Sequence, residues 1–377
     1  MHRLAHRLDR RRFIAGVVAL PAVGLALPAG VHAAGSDRIR VGLVGCGGRG
    51  TGAALHAVSV PGVAITCLAD AFADQLESSA TVLDALAGAA FDCPPERRFT
   101  GPTAWRQVVE ADVDLVILAT PPAFRPQQAA AAVRAGRHVW CETPGAIDVA
   151  GARLLAAAAA EAAARGLAFA SGLGRRHDAV TGALVDRIRD GACGRPLAVG
   201  IHADLGLPWV RPGRPEWTAG EVALRNWISH SRYSGGHFVE RHVAAIDTAL
   251  RVLGDVDPVA ALPDARPGTV RFLLADGRHV AASLRRRPGA GGRVEERVVC
   301  AAGVRDLRPP VDATAGGADP LRSTMHALVA SIRSGRRLDH GPWICRATLA
   351  AIIGREALGT GRAVPWPGAP GGPPLPA

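Results

Sequence analysis

Two stretches of the 377-residue chain carry residue types whose spacing can do chemistry. The first is Gly45-Cys46-Gly47-Gly48-Arg49-Gly50, which follows an aliphatic run at 39–44 and precedes a helical pattern at 51–58. Glycines at this spacing let the backbone approach a diphosphate, and amides at a helix start face its charge. A second aliphatic run, 63–69, ends at Asp70, where a carboxylate can accept both hydroxyls of an adenosine ribose. A carboxylate there repels a 2′-phosphate, which favours NAD, while Arg49 could offset part of that repulsion and leaves NADP open. The second stretch holds His237, Glu240 and His242. On a helix over 238–253, Glu240, residue 244 and Asp247 share a face, His237 joins it from the helix start, and His242 points away. Glu240 with His237 is a candidate general base; the alternative is that Glu240 is a helix-start acid and Asp247 a structural hydrogen-bond partner. His237, Glu240 and His242 do not converge from one helical face as zinc ligands would, so no metal is expected.

The elements that must position these groups follow from periodicity. Residues 114–119 read as a buried strand ending in Thr120-Pro121-Pro122, 126–135 as an alanine-rich helix, and 139–141 as a strand ending in Glu142-Thr143-Pro144. Helix 148–165 and strand 167–170 complete the run. Strands alternating with helices of this length imply right-handed crossovers and a doubly wound parallel sheet, with its ligand at the strand carboxyl ends. Those ends, at Gly45, Asp70, Thr120 and Glu142, fall on one edge. From residue 196 onward strand-like runs are separated by Gly-rich and Pro-rich turns, which reads as a second α/β domain. Arg175-Arg176-His177 opens that domain, and either holds substrate oxygens or forms a solvated basic turn. Trp209, Trp217 and Trp227 lie in an irregular, proline-containing stretch that could be a sugar-stacking lid or an aromatic-anchored surface loop.

Composition narrows the class. All 44 basic residues are arginine, and against 33 acids they leave a formal charge of +11. The arginines are scattered and no aromatic platform interleaves with them, so nucleic acid is not an expected partner. Residues 1–33 contain Arg10-Arg11-Arg12-Phe13-Ile14, an uncharged stretch and Val31-His32-Ala33, the pattern of a twin-arginine export signal. A basic membrane anchor is the competing reading, but the apolar stretch is short and broken by Pro21 and Pro28. The expectation is therefore a periplasmic or extracellular protein, exported folded, with no membrane span in the mature chain. Seven widely spaced cysteines without a C-x-x-C pair are expected to be buried free thiols.

Several segments in order resemble one family: "VGLVGCGGRGTGA" (41–53), "ATPP" (119–122), "AGRHVWCETP" (135–144), "GLGRRH" (172–177), "RNW" (225–227) and "SGGHFVERHVAAIDTALRVLG" (234–254). The chain is similar to the glucose-fructose oxidoreductase, inositol dehydrogenase and MocA (Gfo/Idh/MocA) family, in particular its twin-arginine-exported branch. The resemblance implies an N-terminal Rossmann domain (37–170), then a substrate and oligomerisation domain (171–377) with an open, mostly antiparallel sheet. It also implies NAD or NADP, a sugar or cyclitol substrate, and a homo-oligomer. Gly45 to Gly50, Asp70, Thr120, Pro121, Pro122, Glu142 and Thr143 become cofactor-binding candidates. Arg176, His177, Arg225, Trp227 and Asp247 become substrate-binding ones. The match also shows a departure. The family's catalytic lysine falls on Thr143 and its helical histidine on Ala244, while Arg125 stands where members often have histidine. Glu240, His237, His242 and Thr143 are the catalytic candidates that remain. An oxidoreductase with an altered proton relay is the leading reading; a silent nucleotide- and sugar-binding member and an NAD-dependent glycosidase are the alternatives.

Overall fold

The computed structural model describes residues 38–289, 292–308 and 319–367; the expected export signal at 1–33 lies outside the described residues. Its first half is a parallel sheet wrapped by helices. The chain runs β1 (Ile39–Val44), α1 (Gly48–Val58), β2 (Val63–Asp70), α2 (Ala73–Ala87), β3 (Arg98–Thr100) and α3 (Trp105–Glu110). It continues through β4 (Leu115–Leu118), α4 (Arg125–Arg134), β5 (His138–Cys141), α5 (Val149–Ala164) and β6 (Phe169–Ser171). All six strands pair in parallel in the order β3-β2-β1-β4-β5-β6. The strands read as aliphatic runs because helices cover both faces: every residue of β4 is buried, and in β2 only Asp70 escapes full burial. Strand order reverses between β1 and β4, which opens a crevice at their carboxyl ends.

The second half adds α6 (Ala179–Arg189), β7 (Pro196–Leu205), α7 (Ala219–Arg225), α8 (Ser231–Ser234) and α9 (His237–Val252). Then come β8 (Ala260–Pro263), β9 (Thr269–Leu273), β10 (His279–Arg286), β11 (Arg293–Cys300), β12 (Gly303–Asp306), α10 (Pro320–Ser334), α11 (Gly341–Thr360) and β13 (Val364–Pro365). Seven strands form a mixed sheet in the order β12-β11-β7-β10-β9-β8-β13, antiparallel at every pairing except β7 with β10. One face of it is covered by α9 and α11, whose apolar residues join Val199, Val280 and Phe272 of the sheet in one core. Chain after residue 171 is not confined to this sheet. Met325, Leu328, Val329 and Ile332 of α10 pack with Ile39, Leu43 and Ala54 of the parallel half.

Two sequence expectations change here. Helix α1 starts at Gly48 rather than 51, because the glycine turn itself is the helix entry. Cys193 and Cys300 are joined in a disulfide between the turn after α6 and the end of β11 rather than left as thiols. Cys46, Cys67, Cys93 and Cys141 are buried thiols, as expected.

Candidate functional site

The glycine turn is shaped by close approaches. Gly45 has φ +96°, a region that disfavours side chains, and a Cβ there would lie 2.7 Å from the backbone of Ala119 and Thr120 in the β4 loop. At Gly50 a Cβ would sit 1.9 Å from the carbonyl oxygen of Gly45. Gly47 and Gly48 face open space instead, so their backbone is free to receive a ligand. Asp70 ends β2 beside this turn. Its carboxylate accepts from the backbone N–H of Cys46 at 2.7 Å and of Phe72 at 2.9 Å, and burial raises its pKa. Each oxygen keeps acceptor capacity toward the cavity that Asp70 lines.

That cavity, of about 470 Å³, runs along the β1 and β4 crevice from Gly47, Gly48 and Arg49 past Asp70 and Phe72 to Thr120 and Pro121. Glycines without Cβ obstruction, a helix start and a terminal strand carboxylate fit the diphosphate and ribose of a dinucleotide. Cys46 and Pro122 are buried and do not line it. Thr120 lines it, with its hydroxyl donated to Gln128 at 2.6 Å. Arg49 turns toward the far end and bonds Glu142 at 2.8 Å, so it does not compensate Asp70 as the sequence had left open. Glu142 is nearly fully buried and also accepts from the indole N–H of Trp140 at 2.8 Å. Its side chain thus positions Arg49 and does not itself line the cavity.

Arg225 and Trp227, expected near substrate, line this same cavity together with Trp209 and Arg211. Arg225 lies between the rings of Phe72 and Trp217, 3.9 and 4.2 Å from their centroids, and bonds both oxygens of Asp74 at 2.9 Å. Phe72 and Asp74 lie two and four residues after Asp70, so these contacts hold Arg225 at the Asp70 side of the cavity.

A separate cluster forms at the ends of β4 and β5. Arg125 opens α4 and is buried; its Nε donates to the carbonyl of Thr120 at 2.7 Å and its Nη1 to those of Glu142 at 3.0 Å and Pro144 at 2.5 Å. One guanidinium thereby braces both turns. The start of α9 is pinned to the same loops: Ala123 N–H donates to the Tyr233 carbonyl, and Arg355 donates to the carbonyls of both Ile147 and Gly235. Thr143, half-buried, sits in the braced turn. Glu240 is in the first turn of α9, with its Oε1 buried and without a hydrogen-bond partner. Burial pushes its carboxyl up to about 7, while the fields of Arg125 and Arg241 pull the other way. Both ring nitrogens of His237 are also buried and unpartnered, so His237 and Glu240, offered together as a candidate base, are not hydrogen-bonded to each other. Burial, aided by Arg286 and Arg241, brings His237 down to about 4, and the ring is neutral at neutral pH.

Four other candidates belong to structural networks instead. His242 is fully buried, stacks on Phe238, and places Nδ1 and Nε2 each 3.1 Å from a carbonyl oxygen, of Phe238 and Ser283. It ties α9 to β10 and has no path to a substrate. Arg176 is buried by bonds to both oxygens of Asp247, at 2.9 and 2.7 Å, and both of Asp255, at 3.0 and 2.6 Å. Burial works against its charge, but the two carboxylates outweigh that and raise its pKa. Neither Arg176 nor Asp247 is available to a sugar. His177 meets His340 Nε2 to Nε2 at 2.9 Å. Since His340 Nδ1 accepts from the N–H of Ser171, its Nε2 carries the proton and donates to His177. Arg125 and Trp140 were missed as working residues: a buried arginine bonded only to carbonyls leaves no spacing signal. Among the described residues no group of three or more His, Cys, Asp or Glu is arranged to hold a metal, and no helix is long and apolar enough to cross a membrane.

Residues 39–169 match the GFO_IDH_MocA family, described as oxidoreductase family, NAD-binding Rossmann fold. A 1,5-anhydro-D-fructose reductase of Ensifer adhaerens is 32% identical over 156 residues, 41% of this chain and 42% of the reductase. A glycosyl hydrolase family 109 protein of Streptomyces coelicolor is 33% identical over 120 residues, 32% of this chain and 25% of the hydrolase. The alignments therefore span less than half of these relatives. Among solved structures, myo-inositol 2-dehydrogenase of Lactobacillus plantarum covers 88% of this chain and all of its own, at 18% identity and TM-score 0.66. Scyllo-inositol dehydrogenase of Lactobacillus casei, solved with NAD(H) and scyllo-inositol, covers 87% of this chain and 99% of its own, at 19% identity and TM-score 0.65. At these identities the structures share the fold, the parallel nucleotide-binding sheet followed by a mixed-sheet domain.

Proposed function

We propose that this chain, whose residues 39–169 carry the NAD-binding Rossmann fold of the Gfo/Idh/MocA oxidoreductases, is an NAD-dependent oxidoreductase of a sugar, cyclitol or sugar derivative in which Glu240 replaces the missing lysine as proton acceptor. One observation carries the reading: a half-buried carboxyl whose Oε1 is buried without a partner, poised near neutrality, in the first turn of α9. Bound NAD supplies the hydride acceptor. Oxidation of a carbinol then requires the hydroxyl proton to leave as the C–H hydride departs, and the Glu240 carboxylate takes that proton. Arg125 fixes the Thr143 turn and, by its charge, favours the ionised form of Glu240. His237 is neutral at neutral pH and does not compete for the proton. Asp70 supports NAD over NADP.

Export folded to the periplasm or beyond is part of the proposal, supported by the arginine pair at the N-terminus and by a disulfide, which persists in oxidising compartments. Similarity to glycosyl hydrolase family 109 proteins over part of the chain favours one further reading, NAD-dependent glycosidase. Purified protein with NAD is mixed with a panel of aldoses and cyclitols and, separately, with chromogenic glycosides. Absorbance at the reduced-nicotinamide band is the expected outcome; aglycone release alone would favour the hydrolase, and silence in both arms a binding protein.

A further inference from the structure

We propose that residues 207–227 form a roof over the adenosine end of the dinucleotide cavity and that Trp209 stacks on the adenine base. This rests on the dinucleotide reading above and adds a wall from outside the Rossmann sheet. Trp209 is 46% exposed yet lines the cavity, an unusual setting for so large an apolar ring. Gly101 and Pro102 of the loop after β3 and Trp105 at the start of α3 line the same cavity as Trp209 and Asp70. A flat heteroaromatic base attached to the ribose that Asp70 receives would fall among these residues.

The roof is held in place from both ends. Arg211 follows Trp209 closely, with its guanidinium 5.5 Å from the Trp209 ring centroid, and donates to Gln75 of α2 at 3.2 Å. Its backbone N–H donates to Asn226 Oδ1 at 2.7 Å, and Asn226 returns a bond to the Arg211 carbonyl at 3.0 Å, closing the segment on itself. Arg225 rivets the other end to Phe72 and Asp74. Asp74 is held below the usual carboxylate range by its bond to Arg225, so the rivet is an ionised pair. The tryptophan is thus presented on a braced platform, and it is placed to recognise a base rather than a sugar.

The test is calorimetry on cofactor-stripped full-length protein with NAD and with ADP-ribose, comparing wild type, Trp209→Ala and Leu207→Ala. Leu207 is exposed on the same segment and does not line the cavity. Base–aromatic stacking contributes enough that Trp209→Ala should weaken both ligands about tenfold. Leu207→Ala should leave affinity unchanged, and the tryptophan fluorescence quench on NAD addition should shrink only in Trp209→Ala. Equal affinity of wild type and Trp209→Ala would overturn the proposal while leaving dinucleotide binding intact. So would an unchanged NAD affinity with a raised sugar KM, which would return Trp209 to the substrate. No binding of either ligand to wild type would remove the dinucleotide reading together with the roof.

Discussion

A half-buried carboxyl pushed up to about 7, with one oxygen buried and unpartnered, acts on both stability and activity. Its folded-state pKa is raised, so the fold prefers it protonated, and stability falls as pH rises through about 7. The shift, from 4.5 to about 7, corresponds to about 3 kcal/mol at most once the group ionises. Glu240→Gln should therefore raise the melting temperature at pH 8 and leave it nearly unchanged at pH 4. The same substitution should lower turnover by about 10²-fold or more without weakening NAD, and wild-type oxidation should climb with pH through about 7 as the carboxylate forms. A melting temperature insensitive to Glu240→Gln at both pH values would show that the group is not strained by burial. The sequence offered Glu240 with His237 as a candidate base and kept His242 among the catalytic candidates. Helix periodicity already turned His242 away from the Glu240 face, but which wall each face meets is set by tertiary packing. His242 turned out to face β10.

Elements rather than single residues explain why Arg176 and Asp247 looked functional. A basic turn and a helical acid, 71 residues apart, pair across the junction of β6 and α9, and that pairing is invisible in one dimension. Removing one partner of a buried charge pair leaves the other uncompensated, which destabilises by about 3–5 kcal/mol. Asp247→Asn should accordingly lower the melting temperature sharply while NAD affinity of the folded fraction stays the same; loss of affinity with normal stability would return Asp247 to the site. The turn motifs were legible for a different reason. Gly45 and Gly50 are demanded by backbone contacts that no other residue satisfies, and Asp70 sits at a fixed distance along the chain from them. Short strands such as β3, β8 and β13 carry too few residues for a period to register. The Cys193 and Cys300 pairing spans 107 residues, and closing so long a loop restricts the unfolded chain by about 4–5 kcal/mol in the chain-entropy account. Reductant should lower the melting temperature, and a scan unchanged by reduction would argue that the bond is absent in solution.

At the scale of the molecule, two sheets divide the labour. The carboxyl edge of the parallel sheet lines the cavity with Gly45, Gly47, Gly48 and Asp70, and the second half adds Trp209, Arg211, Arg225 and Trp227 to it. The alternation of strand and helix over 114–170, and the change to strand-like runs after 196, were readable from periodicity. The return of α10 to the parallel half was not, since its apolar stripe fits either core. Similarity to known proteins follows the same division, with sequence likeness concentrated in the nucleotide-binding half and fold likeness extending across both.

The most direct test of the whole account is a calorimetric titration of the stripped protein with NAD and with NADP. The geometry around Gly47, Gly48 and Asp70 predicts saturable heat with NAD and at least tenfold weaker binding of NADP, because the Asp70 carboxylate would repel the 2′-phosphate. Absence of heat with both dinucleotides from correctly folded protein would contradict it.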